Sequence, residues 1–163
     1  MRNSLIKICS TTAMVLIIFT FTSTMTQAQN MNVTDTQQKA TEIFKAWQKA
    51  EFGQGYDSFK TFLNEKNFEF FSHPLLGSYK GKEAFDKFYS LVREREVKPN
   101  NLTFHNIVTY AVKNVFFFQF DSEGKTSGGY TYKGFNIIQI EIKEGELVGF
   151  REYFGFVDPA WFK

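Results

Sequence analysis

The chain has 163 residues, with 19 Lys and Arg against 17 Asp and Glu, one Cys and 21 Phe. That length suits a single domain with a sizeable core. No run of basic residues suggests nucleic acid, and one Cys excludes an internal disulfide.

Arg2 and Lys7 precede a short apolar run, Ala13 to Phe19, and Thr26 and Ala28 form a small-x-small pair. This predicts a removable export signal over residues 1–28, a leader over 29–33 and one domain over 34–163. The apolar run is shorter than the roughly 20 residues a bilayer core requires. The expected product is exported, periplasmic or secreted, with no membrane attachment once the signal is gone. Cys9 leaves with the signal, and so do Arg2 and Lys7. The 19 basic residues become 17, equal to the 17 acids, and the formal charge falls from +2 to zero. Phe19 and Phe21 leave as well, so 19 of the 21 Phe residues remain. That much ring area fills a core, lines an apolar cavity or builds an interface.

Thr34 and Gln37 fit a capping box. Ala40, Ile43, Phe44, Trp47 and Ala50 then follow at helical spacing, and Gly53 and Gly55 stop the helix. A second short helix carries Tyr56, Phe59, Phe62 and Leu63. Asn67 to His73 alternates and ends at Pro74, which predicts a strand. Leu75 to Gly81 reads as a loop. Glu83 to Arg95 is a third helix with Phe85, Phe88, Tyr89 and Val92 inward, stopped ahead of Pro99. Leu102–Tyr110 and Val115–Phe120 read as strands around a turn, followed by a polar loop over Asp121–Gly129. Tyr130–Ile142 and Leu147–Phe156 form a long hairpin through Glu144-Gly145. The order of elements predicts an α+β fold, with three helices on a strongly bent, mainly antiparallel sheet.

This order resembles the SnoaL-like and ketosteroid isomerase-like group of the nuclear transport factor 2-like superfamily. Gly77 to Phe85 resembles the family's turn into its third helix. Ile140 to Gly145 with Leu147 resembles its last hairpin, and Arg151-Glu152-Tyr153-Phe154 before Asp158-Pro159 its last strand. The resemblance implies a cone-shaped half barrel with a pocket between sheet and helices, and frequent dimers. It implies no single activity. It places His73 near the isomerases' general base, Trp47 near their helix-one Tyr, and Asn136 or Ile138 near their second acid.

Strand alternation selects the side chains that face the pocket. Tyr130, Tyr132, Asn136, Ile138, Ile140 and Ile142 share one face. Val148, Phe150, Glu152 and Phe154 share another, taken as concave. Leu147, Gly149, Arg151 and Tyr153 fall opposite. Glu152 among Phe and Ile side chains should have a raised pKa, as general acid–base work near neutrality requires. The candidate catalytic pair is His73 and Glu152. The candidate pocket residues are Trp47, Tyr89, Tyr130, Tyr132, Asn136, Ile138, Phe150 and Phe154. His105 falls on the other face from Phe104. No ligand spacing supports a metal, and no motif calls for a cofactor. Ile107, Val115, Phe117 and Ile137 would form an apolar outer face, suited to a homodimer. Three uses stay open: binding of a small apolar or aromatic molecule, proton-transfer catalysis of the isomerase, cyclase or dehydratase type, and a non-catalytic interaction domain.

Overall fold

The first described helix, α1 (Val33–Glu51), buries Ala40, Ile43, Phe44, Trp47 and Ala50 along one stripe. Asp35 sits in its first turn and Lys49 in its last, each favourable to the helix dipole. The chain turns away at Gly53, whose φ of 71° is costly for other residues. This computed structural model describes residues 33–54, 56–73 and 77–155. The expected signal over 1–28, the leader up to residue 32, Pro74 and Asp158-Pro159 lie outside the described residues. Val33, assigned to the leader, begins α1.

The remaining elements are α2 (Tyr56–Lys60), β1 (Glu69–His73), β2 (Gly77–Lys80), α3 (Gly81–Val97), β3 (Asn101–Val112), β4 (Val115–Lys125), β5 (Thr131–Lys143) and β6 (Glu146–Phe154). The six strands form one sheet in the order β2-β1-β6-β5-β4-β3. β1 runs parallel to β6, and every other pair is antiparallel. The sheet curls without closing, and the helices pack on its concave face. The expected α+β cone is the observed architecture.

Four local expectations are corrected. The segment read as a loop over 75–81 contains β2, which pairs with β1 from Glu69↔Lys80 to Ser72↔Gly77. The segment read as a loop from Asp121 continues β4 to Lys125, because its backbone still pairs with β3 on one side and β5 on the other. In β3 the register jumps between His105 and Val108. Asn106 takes a φ of 55° there, and Asn106 and Ile107 together oppose Phe120, a β-bulge. A second irregularity leaves Val148 without a partner. Leu147 is thereby turned inward and fully buried, not outward as strict alternation requires.

The core fills one end of the cone. Phe116, Ile140, Phe150 and Phe70 align across four strands on the concave face, and all four are buried. Phe44 of α1 stacks on Phe118 with ring centroids 4.2 Å apart and planes 6° from parallel. Phe88 of α3 lies 4.7 Å from Phe70 and 4.9 Å from Phe150. Each such buried ring stabilises the fold by about 1.5–3 kcal/mol. Toward the other end of the sheet the helices stand off, and a space remains.

Candidate functional site

That space is a cavity of about 390 Å³ between the concave sheet, α1, α3 and the β4–β5 connection. Trp47, Phe70, Phe88, Phe104 and Phe120 supply ring surface to it, joined by Tyr130, Tyr132 and Phe154. Two helical stripes bring charge to this lining. On α1, Glu51 lies one turn after Trp47. On α3, Arg95 continues the stripe of Phe88, Leu91 and Val92. From β6, Glu152 sits opposite Ile138 of β5 and Ser72 of β1, on the face that carries Phe150 and Phe154.

Glu152 is 8% exposed. Burial pushes its carboxyl up to about 7, and the nearby Glu51 carboxylate adds to the rise; Ser72, Arg95 and Trp47 oppose it. Burial also raises the Glu51 carboxyl, against the pull of Arg95 and Asn100. Arg95 Nε lies 3.5 Å from Glu51 Oε2, and Asn100 Nδ2 donates to the same oxygen. Neither Arg95 Nε nor Trp47 Nε1 closes a regular hydrogen bond, and both are fully buried. Trp47 nonetheless lies close enough to Glu152 to favour its ionised form.

The β4–β5 connection is fastened to this charged cluster. Ser127 N donates to Asn100 Oδ1 at 2.7 Å, and Arg95 Nη1 donates to Ser127 Oγ at 3.1 Å. Beside it lies a second polar set. Tyr132 Oη donates to Asn136 Oδ1, and Asn136 Nδ2 donates to Ser122 Oγ at 2.6 Å. Gly134 permits this arrangement, because a Cβ there would meet Tyr132 Oη at 2.4 Å.

Of the residues singled out in the sequence, Trp47, Tyr130, Tyr132, Asn136, Glu152 and Phe154 line the cavity. Three do not. Phe150 is fully buried between Trp47, Phe59 and Phe88. Ile138 is in the core beside Phe118. Tyr89 faces away because it lies about 100° around α3 from Phe88. It stacks on Phe85, beneath Lys60. His73 ends β1 opposite Tyr153, and its side chain lies outside the described residues, as does any pairing with Glu152. His105 sits opposite Asp121 in register. Glu51 and Arg95 were missed, although continuing the stripes by one turn reaches both. Among the described residues, no group of three His, Cys, Asp or Glu side chains is placed to hold a metal ion. No described helix is long and apolar enough to cross a membrane.

No protein-family model matches the chain, and no curated protein matches it. Solved structures do. An NTF2-like protein from Anabaena variabilis ATCC 29413 is 23% identical with a TM-score of 0.60, over 75% of this chain and 90% of that one. A protein from Shewanella putrefaciens CN-32, provisionally assigned as a SnoaL-like polyketide cyclase, is 13% identical with a TM-score of 0.59, over 79% and 85%. A protein of ketosteroid isomerase-like fold from Catenulispora acidiphila DSM 44928, in complex with trimethylamine, is 14% identical with a TM-score of 0.53, over 71% and 86%. The chain therefore has the NTF2-like fold.

Proposed function

We propose that this exported domain binds a small molecule with an apolar or aromatic body in the cavity. The observation that carries the reading is a space of about 390 Å³ walled largely by aromatic rings, with a few polar groups gathered in it. A concave, largely apolar space with a small number of placed polar groups is the usual form of a ligand site. The neighbours lend the fold, not the use. One is assigned as a cyclase and another holds trimethylamine, so the choice rests on this cavity's own lining. Calorimetric titration with indole tests it. Wild-type protein should bind, and Leu91→Trp, which fills the cavity from α3, should not. Equal binding by the two proteins, with matching far-UV spectra, refutes the reading.

Proton-transfer catalysis is the second reading, favoured by one observation: a buried carboxyl that titrates at about 7 inside the cavity. Such a group suits general acid–base work near neutral pH. The outer sheet face supports a further proposal, a homodimer. Val115, Phe117 and Ile137 align there with Val108, Tyr110 and Val112. Tyr110 and Val112 are 53% and 62% exposed, and apolar patches of this kind suit partner surfaces.

A further inference from the structure

We propose that the cavity's guest is an organic cation, an alkylated ammonium head on an apolar body, with Glu152 as counter-ion and the rings of Trp47, Phe120 and Phe154 beside it. This assignment rests on the reading that the cavity binds a small molecule, and it names the class.

Charge is the first argument. Among the described residues lining this space are two carboxyl groups, Glu51 and Glu152, and a single cation, Arg95. Arg95 is committed to Glu51 and to Ser127. One negative charge is then without a partner whenever Glu152 ionises, and an anionic guest would meet two acids. Hydrogen bonding is the second argument. The buried Nε–H groups of Trp47 and Arg95 have essentially no accessible surface. They lie beside the Glu152 and Glu51 carboxyls respectively, so neither is offered to an anionic guest. The third argument is the wall itself. Phe154 lies two residues beyond Glu152 on the same strand face, and Phe120, Asn136 and Phe154 share one row across the sheet. Trp47 approaches Glu152 from α1. Aromatic faces attract cations, and most strongly where water is excluded.

The ionisation of Glu152 couples to such a guest. Among the described residues, the titratable groups lining the cavity with it are Glu51 from α1, Arg95 from α3, Tyr132 from β5 and Tyr130 from the β4–β5 connection. Tyr132 is raised by burial. With the Glu152 carboxyl at about 7, the protonated acid must lose its proton to pair with a cation.

Choline and its neutral isostere 3,3-dimethylbutan-1-ol separate the possibilities by calorimetry, using protein purified from an exporting host. Choline should bind at least about tenfold tighter than the alcohol at pH 8, the order expected of a desolvated ion pair with ring contacts. Its affinity should fall about tenfold between pH 8 and pH 6, following the ionised fraction of Glu152. At pH 6, binding should release about one proton, read from two buffers of different ionisation enthalpy. Glu152→Gln should abolish the preference for choline and the proton release. The wild-type proton count tests the same point if that variant does not fold. Equal affinity for choline and the alcohol, or proton uptake, overturns the cation assignment while indole binding keeps the cavity reading standing. If none of the three compounds binds, both fall together.

Discussion

Replacing Glu152 by Gln isolates the energetic effect of a carboxyl held among rings. The group is 8% exposed, and burial with the neighbouring Glu51 raises it from 4.5 to about 7. The folded state therefore holds this proton more tightly than the unfolded chain does. The stability it confers is present below about pH 4.5 and is lost as pH rises through about 7. A shift of about 2.5 units corresponds to about 3 kcal/mol. Glutamine keeps the shape and cannot ionise. Urea unfolding followed by far-UV circular dichroism at pH 4.5, 6, 7 and 8 measures both proteins. Wild type should lose about 3 kcal/mol relative to Glu152→Gln across that window, since most other titrating groups cancel in the difference. A difference that stays flat, or a wild type that gains with pH, would show that the carboxyl is solvated in the folded protein and refute the reasoning.

Phe118→Ala removes the ring on which Phe44 stacks and should cost about 3–5 kcal/mol in the same unfolding assay. Arg95→Ala leaves the Glu51 carboxyl buried beside Asn100 alone. The loss should be about 3 kcal/mol at pH 8 and smaller at pH 5, where Glu51 is more readily neutral. Gly124→Ala meets a φ of 140° and Asn101 O at 2.2 Å from the new Cβ, so thermal unfolding should fall by the equivalent of at least about 2 kcal/mol. Sedimentation velocity at micromolar concentration should show a dimer for wild type and a monomer for Tyr110→Asp on the outer face. A wild-type monomer refutes the dimer.

The fold was readable wherever one period held without interruption. Ala40, Ile43, Phe44, Trp47 and Ala50 announce α1 because each step returns to the same side of a helix. The concave position of Glu152 was readable for the same reason, since Phe150, Glu152 and Phe154 alternate without a break between them. Reading failed at breaks in period. The unpartnered Val148 reverses Leu147, and nothing in Leu147-Val148-Gly149 advertises an extra residue. β2 has four residues and leans on β1 for its pairing, so its strand character is tertiary. Asp121 to Lys125 looks like a loop because polar residues and Gly124 dominate. It is held as strand by the long ladders on both sides. Glu51 and Arg95 carry no motif. Their meaning comes from lying across from each other when α1 and α3 pack.

The bulge at Asn106-Ile107 divides β3 between two environments. Before it, Leu102 and Phe104 reach into the cavity. After it, Val108, Tyr110 and Val112 pair with Gln119, Phe117 and Val115 on the outer side. One strand thus serves two surfaces that can vary independently, because substitutions upstream alter what the cavity holds and those downstream alter what the outside meets. The extra residue is what sets the two halves to opposite parity. Were both residues kept and the bulge flattened, Thr109 and Ala111 would turn outward and three large apolar side chains would point toward the helices. Deleting one of the two would instead bring His105 and Val108 into plain alternation across the single residue opposite Phe120, and leave the outer face as it is.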